Sequence, residues 1–210
     1  MKLYLTSYRI PTPEDLFKLF EKSAEKVSTG IITNAKDKKP ADERDQKLND
    51  VKSYLSNLGL VRSAFVDLKQ YADPIQMGRE LARYDMLFVV GGNSFVLNEV
   101  MHSTGFSSIV KTLLQSGICY VGESAGAVVA GLSLNGFGEM DDMHDADSLV
   151  TAGLGLIPEI LVPHNDSPDP RFNGRSADIQ KANPESTVIA LNDNQAYVVN
   201  GPHGGSIVTR

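Results

Sequence analysis

The sequence contains a single cysteine and has no long hydrophobic run. A lone cysteine, Cys119, excludes an internal disulfide and any Cys-x-x-Cys metal or redox motif. No apolar run approaches the ~20 residues that a membrane span needs, and the N-terminal segment lacks the hydrophobic region of a signal peptide. We therefore expect a cytoplasmic protein that has no membrane partner.

Positive charge is also scarce. The chain has 20 Lys and Arg residues against 26 Asp and Glu residues, which gives a formal net charge of −6. Because nucleic-acid binding requires a basic face, we expect no nucleic-acid partner. The 210 residues, 41% of them hydrophobic, suffice for a full core. This predicts one domain over residues 1–210.

Strand and helix patterns alternate over residues 1–130. The apolar runs 86–90 and 118–121 each lead into glycine, as is typical of strands buried on both faces. The alternation predicts a parallel sheet with helices on both faces. Three later segments have strand character and are expected to extend the sheet or add an antiparallel edge: 188–191, 196–200 and 206–209.

Two further segments carry predictions about local structure. A helix is predicted to begin at Pro13, with Thr12 as its N-cap, because apolar residues follow at helical spacing up to Val27. Residues 133–153 have no clear period and predict a long loop. Loops of that length inside a compact domain are usually functional.

Residues 122–126 read Gly-Glu-Ser-Ala-Gly and lie between an apolar strand and an apolar helical run. This is the Gly-x-Ser-x-Gly motif in the strand–turn–helix context that it requires. A strand that turns sharply into a helix strains the backbone of the central residue and projects its side chain beside a helix N-terminus. Ser124 is therefore the candidate nucleophile.

A nucleophilic serine needs a base and an acid that orients the base. Of the four histidines, His164 follows a strand-like run, so it is expected on the same rim as Ser124. One candidate triad is Ser124–His164 with an acid from residues 139–147. The other is Ser124–Asp193–His203, in the chain order of an α/β-hydrolase. We favour His164.

Residues 91–95, Gly-Gly-Asn-Ser-Phe, follow the buried strand and open a helix. Such a turn is either a tight strand–helix connection or an anion-binding turn. Beside a nucleophile elbow, a glycine N–H of this turn can supply one donor of an oxyanion hole. The residue after the nucleophile, Ala125, can supply the other donor.

Three segments, in this order, resemble the peptidase E family of serine dipeptidases. Residues 87–95 (LFVVGGNSF) resemble that family's strand and glycine-rich turn. Residues 122–127 (GESAGA) resemble its nucleophile elbow, and residues 153–164 (GLGLIPEILVPH) resemble the segment that carries its histidine. The resemblance covers positions 85–180 best, and the combination of segments is more specific than any one of them.

The resemblance implies a flavodoxin-like three-layer α/β sandwich, similar to class I glutamine amidotransferases, with a mostly parallel sheet. It also implies a triad of Ser124, His164 and an acid shortly after the serine. Glu139 and the methionine that follows it resemble the family's Asp-Met pair, so Glu139 is the expected acid. Asp141 and Asp142 remain alternatives.

The family's preference for dipeptides with an N-terminal aspartate implies a cationic partner for the substrate carboxylate. Arginine suits this role because its planar fork binds a carboxylate through two hydrogen bonds. The resemblance points to Arg175, with Arg171 as the substitute, and Asn93 is a further candidate for substrate binding. Val90 and Glu123 depart from the family pattern at positions that border the site.

We therefore expect a serine hydrolase that cleaves small peptides, as a monomer or homodimer, without a metal or an organic cofactor. Ser124 attacks, His164 transfers the proton and Glu139 orients the imidazole, while the Gly92 and Ala125 N–H groups stabilise the oxyanion. Two other functions stay open. One is an esterase or amidase that acts on a non-peptide acyl compound, and the other is a non-catalytic binding protein that retains the fold.

Overall fold

A computed structural model describes residues 1–202 and 204–210. Within them the strands are β1 (Lys2–Thr6), β2 (Ser28–Ile32), β3 (Arg62–Val66), β4 (Met86–Val89), β5 (Cys119–Glu123), β6 (Ile160–Val162), β7 (Val188–Ala190), β8 (Gln195–Asn200) and β9 (Ser206–Thr209). The helices are α1 (Pro13–Phe17), α2 (Ala41–Asn57), α3 (Pro74–Leu81), α4 (Ser94–Ser103), α5 (Phe106–Gln115), α6 (Ala125–Val128) and α7 (Arg175–Ala182). None of the helices in these ranges has the length and apolar character that crossing a membrane requires.

A seven-stranded sheet in the order β3-β2-β4-β5-β1-β8-β9 forms the centre of the fold. The first five strands in that order are parallel, while β8 pairs antiparallel with β1 and β9 pairs antiparallel with β8. The predicted α/β fold with a mostly parallel sheet and flanking helices is therefore confirmed. The prediction of an antiparallel edge is also confirmed, since β8 and β9 form it.

The segment 188–191 does not join the central sheet. Its strand β7 pairs in parallel with β6 in a separate two-stranded sheet, where Ile160 lies opposite Val188 and Val162 opposite Ala190. Because paired parallel strands end at the same edge, the residues that follow β6 and β7 are brought together.

The strands at the centre of the sheet are fully buried. Every residue of β4 and β5 is buried, as the apolar runs predict. On β5, Tyr120 is fully buried, and its hydroxyl donates a hydrogen bond of 2.8 Å to the carbonyl oxygen of Gly126. Burial raises the pKa of Tyr120. The buried phenol therefore ties β5 to the short helix α6 that follows it.

The first helix is shorter than its apolar spacing predicts. It ends at Phe17, and the N–H groups of Leu19 and Phe20 bond three residues back, to the carbonyl oxygens of Leu16 and Phe17. The apolar side chains still reach the core, because Leu19 and Val27 are buried. Tight turns deliver them instead of a continuous helix, so the predicted helix from Pro13 to Val27 is wrong beyond its first turn and a half.

The two glycines that flank the turn from β5 to α6 lie where the backbone packs too closely for a side chain. A Cβ on Gly122 would lie 2.4 Å from the carbonyl oxygen of Gly126, and a Cβ on Gly126 would lie 2.5 Å from the carbonyl oxygen of Val89. Both contacts are with backbone, which cannot move aside as a flexible side chain can. The turn is thus packed against its own helix on one side and against β4 on the other.

We expect Gly122→Ala to lower the free energy of unfolding by about 1–3 kcal/mol, because overpacking against backbone forces the turn to shift. Urea unfolding of the purified protein measures the change. Gly204→Ala is the matched control, since a Cβ there meets no atom within 4 Å. Equal stability of the two variants would contradict the close packing described for the turn.

Candidate active site

Ser124 lies at the carboxyl end of β5, in the sharp turn that opens α6. Its backbone has φ 51° and ψ −109°, an unusual conformation for a residue other than glycine. The Ser124 N–H donates to the carbonyl oxygen of Thr6 at 2.9 Å, while the N–H groups of Ala127 and Val128 donate to the Ser124 carbonyl at 2.8 and 3.0 Å. These bonds hold the strained backbone of Ser124, whose side chain lies beside the cleft.

His164 follows β6 after one intervening proline, and its backbone also has a positive φ of 61°. Its ring nitrogen Nε2 lies 2.9 Å from Ser124 Oγ. The ring packs at 5.0 Å from the ring of Phe172, and the side chain is only 16% exposed. The structure therefore brings the two residues that the sequence singles out into hydrogen-bond contact.

Asp193 completes the hydrogen-bonded chain. Its Oδ1 atom lies 2.6 Å from His164 Nδ1, and it follows β7, the parallel partner of β6. Ser7, directly after β1, accepts the His164 backbone N–H at 2.6 Å and donates from its Oγ to Asp193 Oδ1 at 2.8 Å. The Asp193 backbone N–H in turn donates to Asp166 Oδ1 at 2.9 Å.

This arrangement fixes the proton on one nitrogen of the imidazole. A carboxylate accepts hydrogen bonds only, so Asp193 requires the proton on His164 Nδ1. The other nitrogen, Nε2, is then free to accept the hydroxyl proton of Ser124. The geometry therefore suits base-assisted attack by the serine oxygen.

The acid next to the histidine is Asp193, where the resemblance implies Glu139. Glu139 ends a short turn of helix, its side chain is exposed, and no ion pair or hydrogen bond joins it to His164 in the described part of the chain. The neighbouring Phe137 and Met140 are buried, so this turn directs its apolar side chains inward and its carboxylate outward. The expected contact of Glu139 with the imidazole is corrected accordingly.

The two alternative acids have other partners. Asp141 Oδ2 accepts hydrogen bonds from the backbone N–H of Ser94 at 2.9 Å and from its hydroxyl at 2.7 Å. Burial raises the pKa of the Asp141 carboxyl, while these bonds and the nearby His164 act in the opposite direction. Asp142 accepts the backbone N–H of His144 at 2.9 Å. In the other candidate triad, His203 lies outside the described residues.

The two expected oxyanion donors border the serine. The expected donor Gly92 follows Gly91, which lies so close to the nucleophile that a Cβ on Gly91 would be 3.1 Å from Ser124 Cβ. A Cβ on Gly92 itself would lie 2.2 Å from the carbonyl oxygen of Ala35. Gly92 has φ 157°, and it lines the same cleft as Ser124. Ala125 is the first residue of α6, so its N–H has no acceptor within the helix.

Asn93 serves the fold rather than the cleft. Its Oδ1 caps α4 by accepting the N–H groups of Phe95 and Val96 at 2.9 and 3.2 Å. Its Nδ2 donates to the carbonyl oxygen of Asp142 at 2.7 Å and to Asp145 Oδ2 at 3.1 Å. The side chain thereby ties the glycine turn to the 133–153 loop, and the structure does not place it among the residues that line the cleft beside Ser124.

The two arginines expected to bind substrate are paired locally. Arg175, the first residue of α7, contacts Asp178 at 3.0 Å and donates to the carbonyl oxygen of Arg171 at 3.2 Å. Arg171 contacts Asp169 at 2.6 Å and is largely exposed. Neither arginine lines the cleft beside Ser124.

The cleft beside the serine has a volume of about 310 Å³. Besides the site residues already described, charged and aromatic side chains line it: Tyr8, Arg9, Lys36, Lys47, Asp50 and Glu123. Sequence reasoning missed Ser7, Arg9 and Lys36. The available signal for Ser7 and Arg9 was their position just after β1, since parallel strands present the residues beyond their carboxyl ends at one edge.

Comparison with known proteins places the chain in a family. The profile of Peptidase family S51 matches residues 38–207. An uncharacterized peptidase of Pasteurella multocida is 29% identical over 172 residues, which cover 78% of this chain and 76% of that protein. Peptidase E of Shewanella amazonensis is 30% identical over 163 residues, 75% of this chain and 66% of that protein.

Solved structures share the fold. A Listeria monocytogenes protein proposed to be a peptidase E superposes with a TM-score of 0.75 at 24% identity, covering 100% of this chain and 97% of that one. A peptidase from an acI-B1 Actinobacterium superposes with a TM-score of 0.76 at 19% identity, covering 100% and 87%. The family match confirms the expectation of a serine hydrolase of the peptidase E type, and the chain belongs to Peptidase family S51.

Proposed function

We propose that this chain hydrolyses small peptides, with Ser124 as the nucleophile, His164 as the general base and acid, and Asp193 as the carboxylate that orients His164. One observation carries the proposal. Ser124 Oγ, His164 and Asp193 Oδ1 form an unbroken chain of contacts at 2.9 and 2.6 Å, at the edge of a cleft. Nucleophile, base and orienting acid are the three roles that acyl transfer by serine requires.

In the first half of the reaction, Ser124 Oγ attacks the carbonyl carbon of the peptide bond while His164 Nε2 takes the hydroxyl proton. The tetrahedral intermediate collapses when the carbon–nitrogen bond breaks. His164 donates its proton to the leaving amine, and the acyl group stays on Ser124 as an ester.

In the second half, a water molecule attacks the ester carbonyl and His164 Nε2 takes a proton from it. Collapse of the second tetrahedral intermediate releases the carboxylic acid and returns the proton to Ser124 Oγ. Asp193 keeps its negative charge throughout and stabilises the imidazolium that forms in both halves.

The negative charge on the carbonyl oxygen needs donors that are already in place. We assign this role to the backbone N–H groups of Gly92 and Ala125, one from the glycine turn after β4 and the other from the N-terminus of α6. The close packing of Gly122 and Gly126 supports this assignment, because it holds α6 against β4 and so sets the distance between the two donors.

A small peptide suits the dimensions of the cleft. A volume of about 310 Å³ lies at the lower end of the range of ligand pockets, which begins at roughly 300 Å³. By family resemblance we propose dipeptides with an N-terminal aspartate as the first substrates to assay. We further propose that the chain acts in the cytoplasm, as a monomer or homodimer.

We expect Asp193→Asn to lower kcat by about 10³- to 10⁴-fold, because an amide in place of the carboxylate favours the wrong tautomer of the imidazole. Steady-state hydrolysis of a dipeptide measures this loss. Glu139→Gln is the matched control, since it removes the same charge from an exposed side chain and should change kcat by less than about threefold. A large loss in Glu139→Gln with little in Asp193→Asn would return the role to Glu139.

We also expect the wild-type chain to hydrolyse dipeptides when it is assayed against a panel of dipeptides and short-chain esters. The Ser124→Ala variant should hydrolyse the same dipeptides about 10³-fold or more slowly. The physical reason is that the acyl-enzyme route requires the serine oxygen. Wild-type hydrolysis of esters alone would favour an esterase that acts on non-peptide acyl compounds. No hydrolysis of either class would favour a binding protein that retains the fold.

A further inference from the structure

The glycine turn after β4 is held by the segment that follows β2. The strands β2 and β4 are parallel neighbours, so the residues beyond their carboxyl ends meet at one edge of the sheet. Beyond β2, Asn34–Lys36 forms a short helical turn in which Asn34 and Ala35 are buried. The carbonyl oxygen of Ala35 accepts the N–H of Asn93 at 2.9 Å, and a Cβ on Gly92 would lie 2.2 Å from the same oxygen. The two turns are therefore in direct contact.

The side chain of Lys36 makes a further contact between these turns. Its ammonium donates a hydrogen bond to the carbonyl oxygen of Gly91. A trans peptide group directs its carbonyl oxygen and its N–H to opposite sides, and the described residues contain no cis peptide bond. The contact with Lys36 thus fixes the orientation of the peptide group between Gly91 and Gly92, whose N–H belongs to Gly92.

The N–H groups of this turn are available to a ligand. In the part of the chain that the structure describes, no oxygen accepts the N–H of Gly91 or of Gly92. Both residues line the cleft beside Ser124. Of the two N–H groups, that of Gly92 belongs to the peptide group that Lys36 holds. A free N–H that is already in position is what the negative charge of a tetrahedral intermediate requires.

Two successive glycines allow the peptide group between them more than one orientation. Glycine adopts positive φ about as readily as negative φ, and Gly92 has φ 157°. A reversed peptide group would present the Gly91 carbonyl oxygen where the Gly92 N–H now lies, and its partial negative charge would repel an oxyanion. The hydrogen bond from Lys36 stabilises the orientation that keeps this carbonyl oxygen on the side of the ammonium.

The charge of Lys36 favours this arrangement further. The side chain lines the cleft, and no ion pair involves its ammonium within residues 1–202 and 204–210. Burial lowers the pKa of Lys36, and the nearby Glu123 partly opposes this shift. A hydrogen bond from a cation to a carbonyl oxygen polarises the amide, which makes the N–H at its other end a stronger donor.

We propose that Lys36 positions the oxyanion hole: its ammonium holds the Gly91 carbonyl oxygen, so that the N–H of Gly92 stays directed at the substrate oxygen that becomes negative. Lys36 is a positioning residue, because it acts through a peptide group and does not touch the reacting atoms. The inference rests on the proposed function, which assigns Gly92 as an oxyanion donor. It adds a residue that neither the serine motif nor the family resemblance indicates.

We expect Lys36→Met, which keeps an unbranched side chain but removes its charge and donors, to lower kcat for dipeptide hydrolysis by about 10- to 100-fold. KM should change by less than about threefold, since the negative charge develops only in the transition state. Lys36→Arg should recover most of kcat, because a guanidinium can donate to the same carbonyl oxygen. Steady-state kinetics of the three chains measures these changes.

Lys38→Met is the matched control. Lys38 lies two residues further along the same segment, pairs with Asp147 at 2.9 Å and is not among the residues that line the cleft. Its loss should change kcat by less than about threefold. Thermal melting of each variant reports its folding, and Lys36→Gln, whose shorter side chain also lacks the charge, is the second variant if Lys36→Met does not fold.

Labelling by a fluorophosphonate probe tests the same contact without a peptide. Ser124 Oγ forms a bond to phosphorus, fluoride leaves, and His164 takes the hydroxyl proton, while the phosphoryl oxygen takes the place of the oxyanion. We expect the second-order rate of labelling to fall by about 10- to 100-fold in Lys36→Met and to recover in Lys36→Arg.

A folded Lys36→Met variant with a kcat and a labelling rate like those of the wild type would overturn the proposal. So would a loss confined to KM, an equal loss in Lys38→Met, or a Lys36→Arg variant no faster than Lys36→Met. The proposed function fails separately, since it requires the wild-type chain to cleave peptides. A wild-type chain that is labelled but cleaves no peptide would remove the peptidase, and the labelling rates would still decide the role of Lys36.

Discussion

The site depends on one small side chain, Ser7, whose hydroxyl joins two separate parts of the fold. Ser7 accepts the backbone N–H of His164 and donates to the carboxylate of Asp193. It follows β1, whose parallel neighbour β5 carries Ser124 at its end, while His164 and Asp193 follow the parallel pair β6 and β7. Two parallel strand pairs thus each end in two site residues, and the Ser7 hydroxyl fixes one pair relative to the other.

Backbone strain is concentrated where these strands end. Ser124 and His164 have φ values of 51° and 61°, and Arg9 in the same cleft has 57°. Each such conformation costs of order 1–3 kcal/mol and persists only where the surroundings determine it. The fully buried strands β4 and β5 supply that rigidity. The close packing at Gly122 and Gly126 transmits it to the serine turn.

The sequence predicts the fold class and two of the three hydrogen-bonded site residues, because the patterns that indicate them are local. Ser124 lies in a contiguous motif and His164 in a recognisable segment, so each leaves a signal within a few residues of itself. Asp193 is named from the sequence only as the acid of the alternative triad with His203, because its contact with His164 arises from the pairing of β6 with β7, and periodicity predicts strands but not their neighbours. The choice of Glu139 relied on position along the chain. The only sequence signal for Arg9 is its position just after β1, and no motif distinguishes an arginine there from other charged residues that follow strands.

The central claim is that Ser124 is a nucleophile activated by its contact with His164. Fluorophosphonate labelling followed by mapping of the modified peptide tests it most directly, because such probes react with an activated serine and not with an ordinary hydroxyl. The account predicts a single phosphonylated residue, Ser124, and loss of labelling in His164→Ala. Absence of labelling in the wild-type chain, or modification of a different serine such as Ser7, would contradict it.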